Sequence, residues 1–494
     1  MIQFTKRMLL SVILCAGWTF LLAADCCKPD FCCGHSFFRG RPVSQDAALE
    51  LSLHRFAHAY QPENDACLRV EASAFYFRSR RPSRIAEFFL PNCSNCITIA
   101  ESNVAASAGQ ATQISSPWIG LQGSAIAPFN GQLCLCPRRT VAGAALKFDV
   151  SLSSWMEECG CKLTDLWLSV FVPVVQVKHD LRASQTITNP GNRTGLSTIL
   201  DAFNNPAWKF GRISRCSLQH SGIDDIKIKL GATLIDNECK RVDVYGVVYA
   251  PTGRRSHADY LFEPTIGSGR HLGAGAGLHI DYALWSSDEG NALSIFADVQ
   301  YAYFMRSREV RSLDLVNGPW SRYLQIAHLD GLLVSRPGIN FFTRDVDVTP
   351  RGMVDALVAL DYDFCNWNVE IGYEFWWRQN ERVELRNVCE QTSAIYDITG
   401  RGGSLSNACI CAAVPGANGP VPDLVTNPIS QERYNENSAA MPRSRSHKVF
   451  GALGYDFTVC ENAALVGVGF SYEFGHCRSA LSQWGVWAKA GLSF

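Results

Sequence analysis

Residues 483–494 read QWGVWAKAGLSF. Successive side chains of an extended strand point to opposite sides. Trp484, Val486, Ala488, Ala490, Leu492 and Phe494 therefore share one face, and Gln483, Lys489 and Ser493 the other. The same period of two recurs back along the chain. Ala464, Val466, Val468, Phe470 and Tyr472 alternate with Gly467, Gly469, Ser471 and Glu473, and Trp367, Val369, Ile371, Tyr373 and Phe375 with Asn368, Glu370, Gly372 and Glu374. Val354, Ala356, Val358 and Leu360 alternate with residues that include Asp355 and Asp361, Val299, Tyr301 and Tyr303 with Asp298 and Gln300, and Ile226, Ile228 and Leu230 with Lys227 and Lys229. These are strands with one apolar and one polar face.

A soluble β-sandwich produces the same alternation in any single segment. The pattern across segments separates the two architectures. The apolar faces carry Tyr, Trp or Phe near one end, as an aromatic girdle does, and the opposite faces combine glycine with isolated charges, as a wet lumen does. The fold class read from the sequence is therefore all-β, a transmembrane antiparallel β-barrel. Its last strand, with Trp484, Val486, Ala490, Leu492 and Phe494 outward, resembles the assembly signature of bacterial outer-membrane proteins, which implies the barrel assembly machinery as a partner. Working back from Phe494 places 14 strands, near 482–494, 463–474, 446–457, 367–378, 352–362, 339–348, 321–330, 293–306, 273–284, 240–250, 225–235, 163–178, 140–152 and 68–78. A further pair within 79–139 or 179–224 would make 16, so the expectation is about 14–16 strands, an even number. Long connections at 251–272 and 379–445 then fall on the extracellular side and short turns on the other. The short link at 349–351 breaks this parity.

Composition agrees with an envelope protein. Lys and Arg total 45 against 46 Asp and Glu, a net charge of -1, which gives no basic field for a nucleic-acid partner. Hydrophobic residues make up 47% and charged residues 18%, against roughly 25% charged in a soluble domain. Lys6 and Arg7 precede an apolar stretch, 8–24, that reads as a cleaved secretory signal peptide. The longest later apolar stretch, LWLSVFVPVVQV at 166–177, is too short and broken to span a membrane as a helix. The domains expected are a signal peptide (1–24), a Cys-rich N-terminal arm (25–66) and the barrel (67–494). Ser44 and Asp46 precede a short helix in the arm, which is either a periplasmic arm or a plug in the lumen.

The inward faces collect Asp281, Asp298, Asp355, Asp361, Glu370, Glu374 and Glu473 against Lys227, Lys229 and Lys489. These ten are the candidate pore-lining residues, and their balance predicts a weak cation preference. The sequence has 20 cysteines, which points to an oxidising compartment. Cys26, Cys27, Cys32, Cys33, Cys93, Cys96, Cys134, Cys136, Cys159, Cys161, Cys409 and Cys411 cluster outside the strands and are disulfide candidates. The first four are expected to include periplasmic intermolecular links; wholly internal stapling is the alternative. Cys93-x-x-Cys96 has the spacing of half a zinc site but only C-x-C pairs as partners, so neither a metal nor a cofactor is assigned. His54 and His58 lack the Glu of a zinc-protease helix, and the glycines at 267–269 and 273–277 read as bends and close packing. The reading is a non-enzyme.

The runs FFRGRPVSQDAALEL (37–51), GIDDIKIKLG (222–231), VYGVVYAPTG (244–253), YLFEPTIGSGRH (260–271) and the terminal AGLSF resemble the major-outer-membrane-protein-like, cysteine-rich porins of Chlamydia-related environmental bacteria. A looser similarity exists to the pore-forming major outer-membrane protein of Legionella. The resemblance implies an outer-membrane porin passing small hydrophilic solutes and ions, a homotrimer, and disulfide links to other envelope proteins. The alternatives are a structural or adhesive envelope protein without an open pore and a gated channel for specific or hydrophobic solutes.

Overall fold

Side-chain alternation becomes wall geometry in the computed structural model. It describes residues 33–53, 68–101, 112–121, 127–152, 165–191, 196, 198–237, 239–287, 290–316, 318–328, 336–386, 393–395, 410, 429 and 433–494. The signal peptide, Cys26, Cys27, Cys32, His54, His58, Cys159, Cys161, Cys409, Cys411 and most of 387–432 lie outside the described residues.

The barrel strands are β1 (Leu68–Arg80), β2 (Arg138–Ser151), β3 (Asp165–Asp180), β4 (Ile226–Asn237), β5 (Lys240–Ala250), β6 (Gly273–Ser286), β7 (Ala292–Phe304), β8 (Arg351–Phe364), β9 (Trp367–Arg378), β10 (Ser444–Val459), β11 (Asn462–Gly475) and β12 (Ser482–Ser493). Each pairs antiparallel with its neighbours in sequence, and β12 returns to β1 from Arg69↔Ser493 to Arg80↔Ser482. Twelve strands thus form a closed ring, which leaves no unpaired edge.

The fold class read from the sequence stands, and the strand count is corrected to twelve. The segments expected at 321–330 and 339–348 supply only Gln325–His328 and Thr343–Thr349, which pair in small separate sheets. Thr343–Thr349 alternates like a wall strand, but Val346 and Val348 face a protein core. At 7 residues it is shorter than the roughly 9–11 a tilted strand needs to cross a bilayer. Removing this pair also removes the parity break at 349–351. Of the described strands within 79–139 and 179–224, only Leu218–Ile223 pairs with the ring, along the upper part of β3.

The outward face is a continuous apolar band, with Leu230, Val299, Leu453, Val468 and Val486 exposed and Ile371 66% exposed. Tyr301, Tyr303 and Phe474 mark the loop end, and Tyr362, Trp367, Tyr455 and Phe494 the turn end. Inward residues on the same strands are buried, which requires that something fill the ring.

Two things do. At the loop end the connections fold together into a cap with its own core of Phe88, Phe89, Trp118, Phe129, Phe203, Trp320 and Tyr323. Inside the ring runs a strap, residues 33–53, carrying helix α1 (Ala47–Leu51), whose N-terminus is capped by the Asp46 carboxylate accepting from the Leu49 N–H. Phe37 and Phe38 insert into the cap core, Val43, Ala47, Leu49 and Leu51 pack on the inward wall residues Phe75, Phe171, Leu357 and Phe450, and Leu53 meets Ala452 and Leu465.

Candidate functional site: the strap within the lumen

The strap enters at the cap, where Cys33 is bonded to Cys93 in the connection between β1 and β2. Arg39 pairs with Glu309 at 2.5 Å and Glu381 at 3.0 Å, two buried carboxylates shared with Arg311 and, for Glu309, with His271 Nε2 at 2.7 Å. The Arg311 and Arg39 guanidiniums hold Glu309 well below the usual carboxylate range, against the opposing effect of its burial, which is the largest influence on it. Gly269, at φ 74°, lies against the Arg39 guanidinium, so no side chain fits there. Nearby, the Asp224 carboxylate accepts from the Val43 N–H at 2.8 Å and the Ser44 hydroxyl at 3.1 Å. Burial, and next the charge of Asp224, raise its neighbour Asp225 to about 7.

One turn deeper, the Arg41 guanidinium reaches across the lumen to Asp355 on β8 at 3.1 Å, Glu374 on β9 and Glu473 on β11 at 3.4 Å. Lys448 on β10 pairs with Asp46 at 2.6 Å and Glu374 at 3.0 Å. At the level of α1, Glu50 takes Lys227 at 2.6 Å and Lys229 at 2.7 Å, both on β4. The Leu53 N–H donates to Glu370 at 2.5 Å, and Lys489 donates to the Ser52 carbonyl at 2.9 Å. Contacts on β4, β8, β9, β10, β11 and β12 can converge on one segment only if it lies inside the ring.

All ten charges singled out from sequence are buried on the inward face. Lys227, Lys229, Asp355, Glu370, Glu374, Glu473 and Lys489 bind the strap. Asp298 instead accepts from Tyr245 at 2.8 Å and Asp361 from Asn368 at 2.5 Å; Asp281 shares their face. Five of the ten therefore meet a strap charge, Asp355, Glu374 and Glu473 at Arg41 and Lys227 and Lys229 at Glu50, so they do not form an open ring of charge, while Glu370 and Lys489 meet strap backbone groups. Arg39, Arg41 and Glu50, the strap's own contributions, were not assigned from sequence. The signal for them was complementarity: two arginines ahead of an acid-rich lumen and a glutamate opposite a Lys-x-Lys strand.

Buried ion pairs add little net stability, because desolvation offsets attraction, yet removing one partner costs about 3–5 kcal/mol. The network therefore fixes where the strap sits. Its attraction comes from the apolar side chains of α1 and Val43, at about 1.5–3 kcal/mol for each one fully buried. Beside α1 a cleft of about 60 Å³ remains, lined by Arg69, Lys147, Asp149, Trp167, Ser169, Lys229, Arg241, Asp243, Tyr245, His279 and Asp298. It reaches toward the turn end and has room for a few waters.

No family model matches the chain. No curated protein matches it either. Among solved structures it is similar to an outer membrane channel from Pseudomonas putida F1, at 8% identity over 87% of this chain and 97% of that one, with a TM-score of 0.40. It is also similar to the transport unit of the autotransporter AIDA-I from Escherichia coli, at 6% identity, 92% and 99% coverage and a TM-score of 0.31, and to a Pseudomonas aeruginosa FadL homologue, at 10% identity, 87% and 89% coverage and a TM-score of 0.28. At these values nothing about a solute is taken from them; the barrel rests on the strand pairing itself.

Among the cysteines, Cys33–Cys93 and Cys96–Cys134 are disulfides, so the C-x-x-C pair goes to two different partners. The periplasmic placement of Cys33 is corrected: it sits at the loop end and is bonded within the chain. Cys136 is an exposed thiol.

Proposed function

We propose that this chain is an outer-membrane channel for small hydrophilic solutes and ions whose lumen is gated by its own N-terminal strap. The observation that carries this reading is the occupied ring: 37–53 engages wall charges on six strands, with a cleft of about 60 Å³ beside α1. A freely open diffusion pore does not fit that arrangement. The charged wall of the cleft, Lys147 with Asp149 at 3.3 Å and Arg241 with Asp243 at 3.0 Å, suits a hydrated solute rather than an apolar one, and the resemblance to porins of Chlamydia-related bacteria points the same way. Single-channel conductance of the folded protein in a planar bilayer tests it. The wild type is expected to stay closed with rare openings, and R41A/E50A to open often. Constant wild-type conductance overturns the gate; a folded double variant that never conducts favours a structural or adhesive protein.

A second reading, covalent linkage into a disulfide-bonded envelope, is favoured by one observation. Exposed Cys239, Cys365 and Cys460 sit in the tight turns β4–β5, β8–β9 and β10–β11, all on the turn rim. Non-reducing electrophoresis of freshly alkylated membranes would then show reductant-sensitive oligomers; monomer alone would sink it.

A further inference from the structure

One sector of the outer surface departs from the apolar band at the loop end. Across β1, β2 and β3 the register sets Tyr76, Ala142 and Gln176 in one outward row, and Arg78, Thr140 and Lys178 in the next row toward the loops. Beyond them Arg80 is exposed and Arg138 half-buried. The ring contact of Tyr76 with Trp484, 5.6 Å between centroids, marks the interfacial level just beneath. At the same distance from the loop end on β4, β5, β7, β8 and β9 the outward residues are Ile228, Val248, Tyr303, Val354 and Trp377, and on β10 the partner of Trp377 is Arg445, which is buried. One acid stands in the cluster: Asp180, the register partner of Arg138, which also pairs with Arg182 at 3.3 Å.

Arg78, Arg80, Arg138, Lys178 and Arg182, most of them within two strand spacings, about 10 Å, share the single carboxylate of Asp180, so the sector keeps a positive excess that a further anion would offset. At the headgroup level of a membrane the anions available are lipid phosphates, which guanidinium forks bind through two oxygens at once.

We propose that Arg78, Arg80, Arg138 and Lys178 form a binding site for the phosphate groups of a phosphorylated glycolipid in the outer leaflet. This rests on the outer-membrane placement proposed above and is independent of the gate. The test is binding of lipid A, and of its dephosphorylated form, to the folded protein in phosphatidylcholine vesicles. Wild type is expected to bind lipid A at least tenfold more tightly than the dephosphorylated form, R78S/R138S/K178S to lose that preference, and R78K/R138K to keep it within threefold. Millimolar inorganic phosphate should not compete. Equal binding of both lipids by the wild type, a serine variant within twofold of wild type, or displacement by inorganic phosphate overturns the site. Should the serine variant fail to fold, the two lipids on the wild type and the lysine variant decide. Heat-modifiable mobility on gels reads insertion separately. A wild type that inserts and ignores phosphorylation overturns only this site, and one that does not insert overturns the membrane placement as well.

Discussion

Arg41 shows how much one side chain decides. Its guanidinium is the common partner of Asp355, Glu374 and Glu473, three carboxylates on three strands. In R41A they would face one another buried, at a cost of about 3–5 kcal/mol. The outcome expected is faster hydrogen exchange across 37–53 with the ring strands still protected, read by mass spectrometry. Asp225 sets a pH dependence. Its pKa, raised from 3.8 to about 7 by burial and Asp224, lies above the unfolded value, so the folded state holds the extra proton between those limits. The stability this contributes is fully present below about pH 4 and lost as pH rises through 7. Groups facing it include Asp224, Ser268 and Gly253. The melting temperature in detergent should fall by a few degrees from pH 5 to pH 8, and D225N should flatten that slope.

At the scale of elements, the strap is held at both ends, by the Cys33–Cys93 disulfide in the cap and by the chain running on to β1. Cutting the first tether while keeping the ion pairs should loosen only the cap-side half. In C33S, exchange is therefore expected to rise at 34–40 and less at α1, and channel openings to increase less than in R41A. Equal loosening along the whole strap would mean that the disulfide, not the charge network, sets its position. The α1 helix is 5 residues long and has no stability of its own; it persists because Ala47, Ala48, Leu49 and Leu51 are buried against the wall.

For the molecule as a whole, the outward band distinguishes a membrane barrel from a soluble one. Ile371 is 66% exposed in mid-strand. In a soluble protein an exposed Ile→Arg change is nearly neutral, whereas at bilayer mid-height it costs about 2–4 kcal/mol. I371R should lower unfolding stability in lipid vesicles by that amount in urea titrations, and K240R at the turn rim by almost nothing. A neutral I371R would contradict the membrane face.

The sequence determined the wall. Period-two alternation from Ile226 to Phe494 assigned ten inward charges to their face, though not Lys448, Arg241 or Asp243, because a strand's geometry is local and a one-residue slip would invert every side chain. It did not separate Thr343–Thr349 from a wall strand, since Val346 and Val348 show the same alternation toward a protein core as toward lipid. Nor did it decide what the lumen holds. Arg41 and Glu473 are 432 positions apart, and Glu50 and Lys227 177 apart. Such pairs leave no periodic trace, so arm and plug read alike until closure of the ring brings β4, β8, β9 and β11 around one segment. Tertiary structure alone decides that, because a buried charge takes whichever partner the fold brings within reach, however distant along the chain.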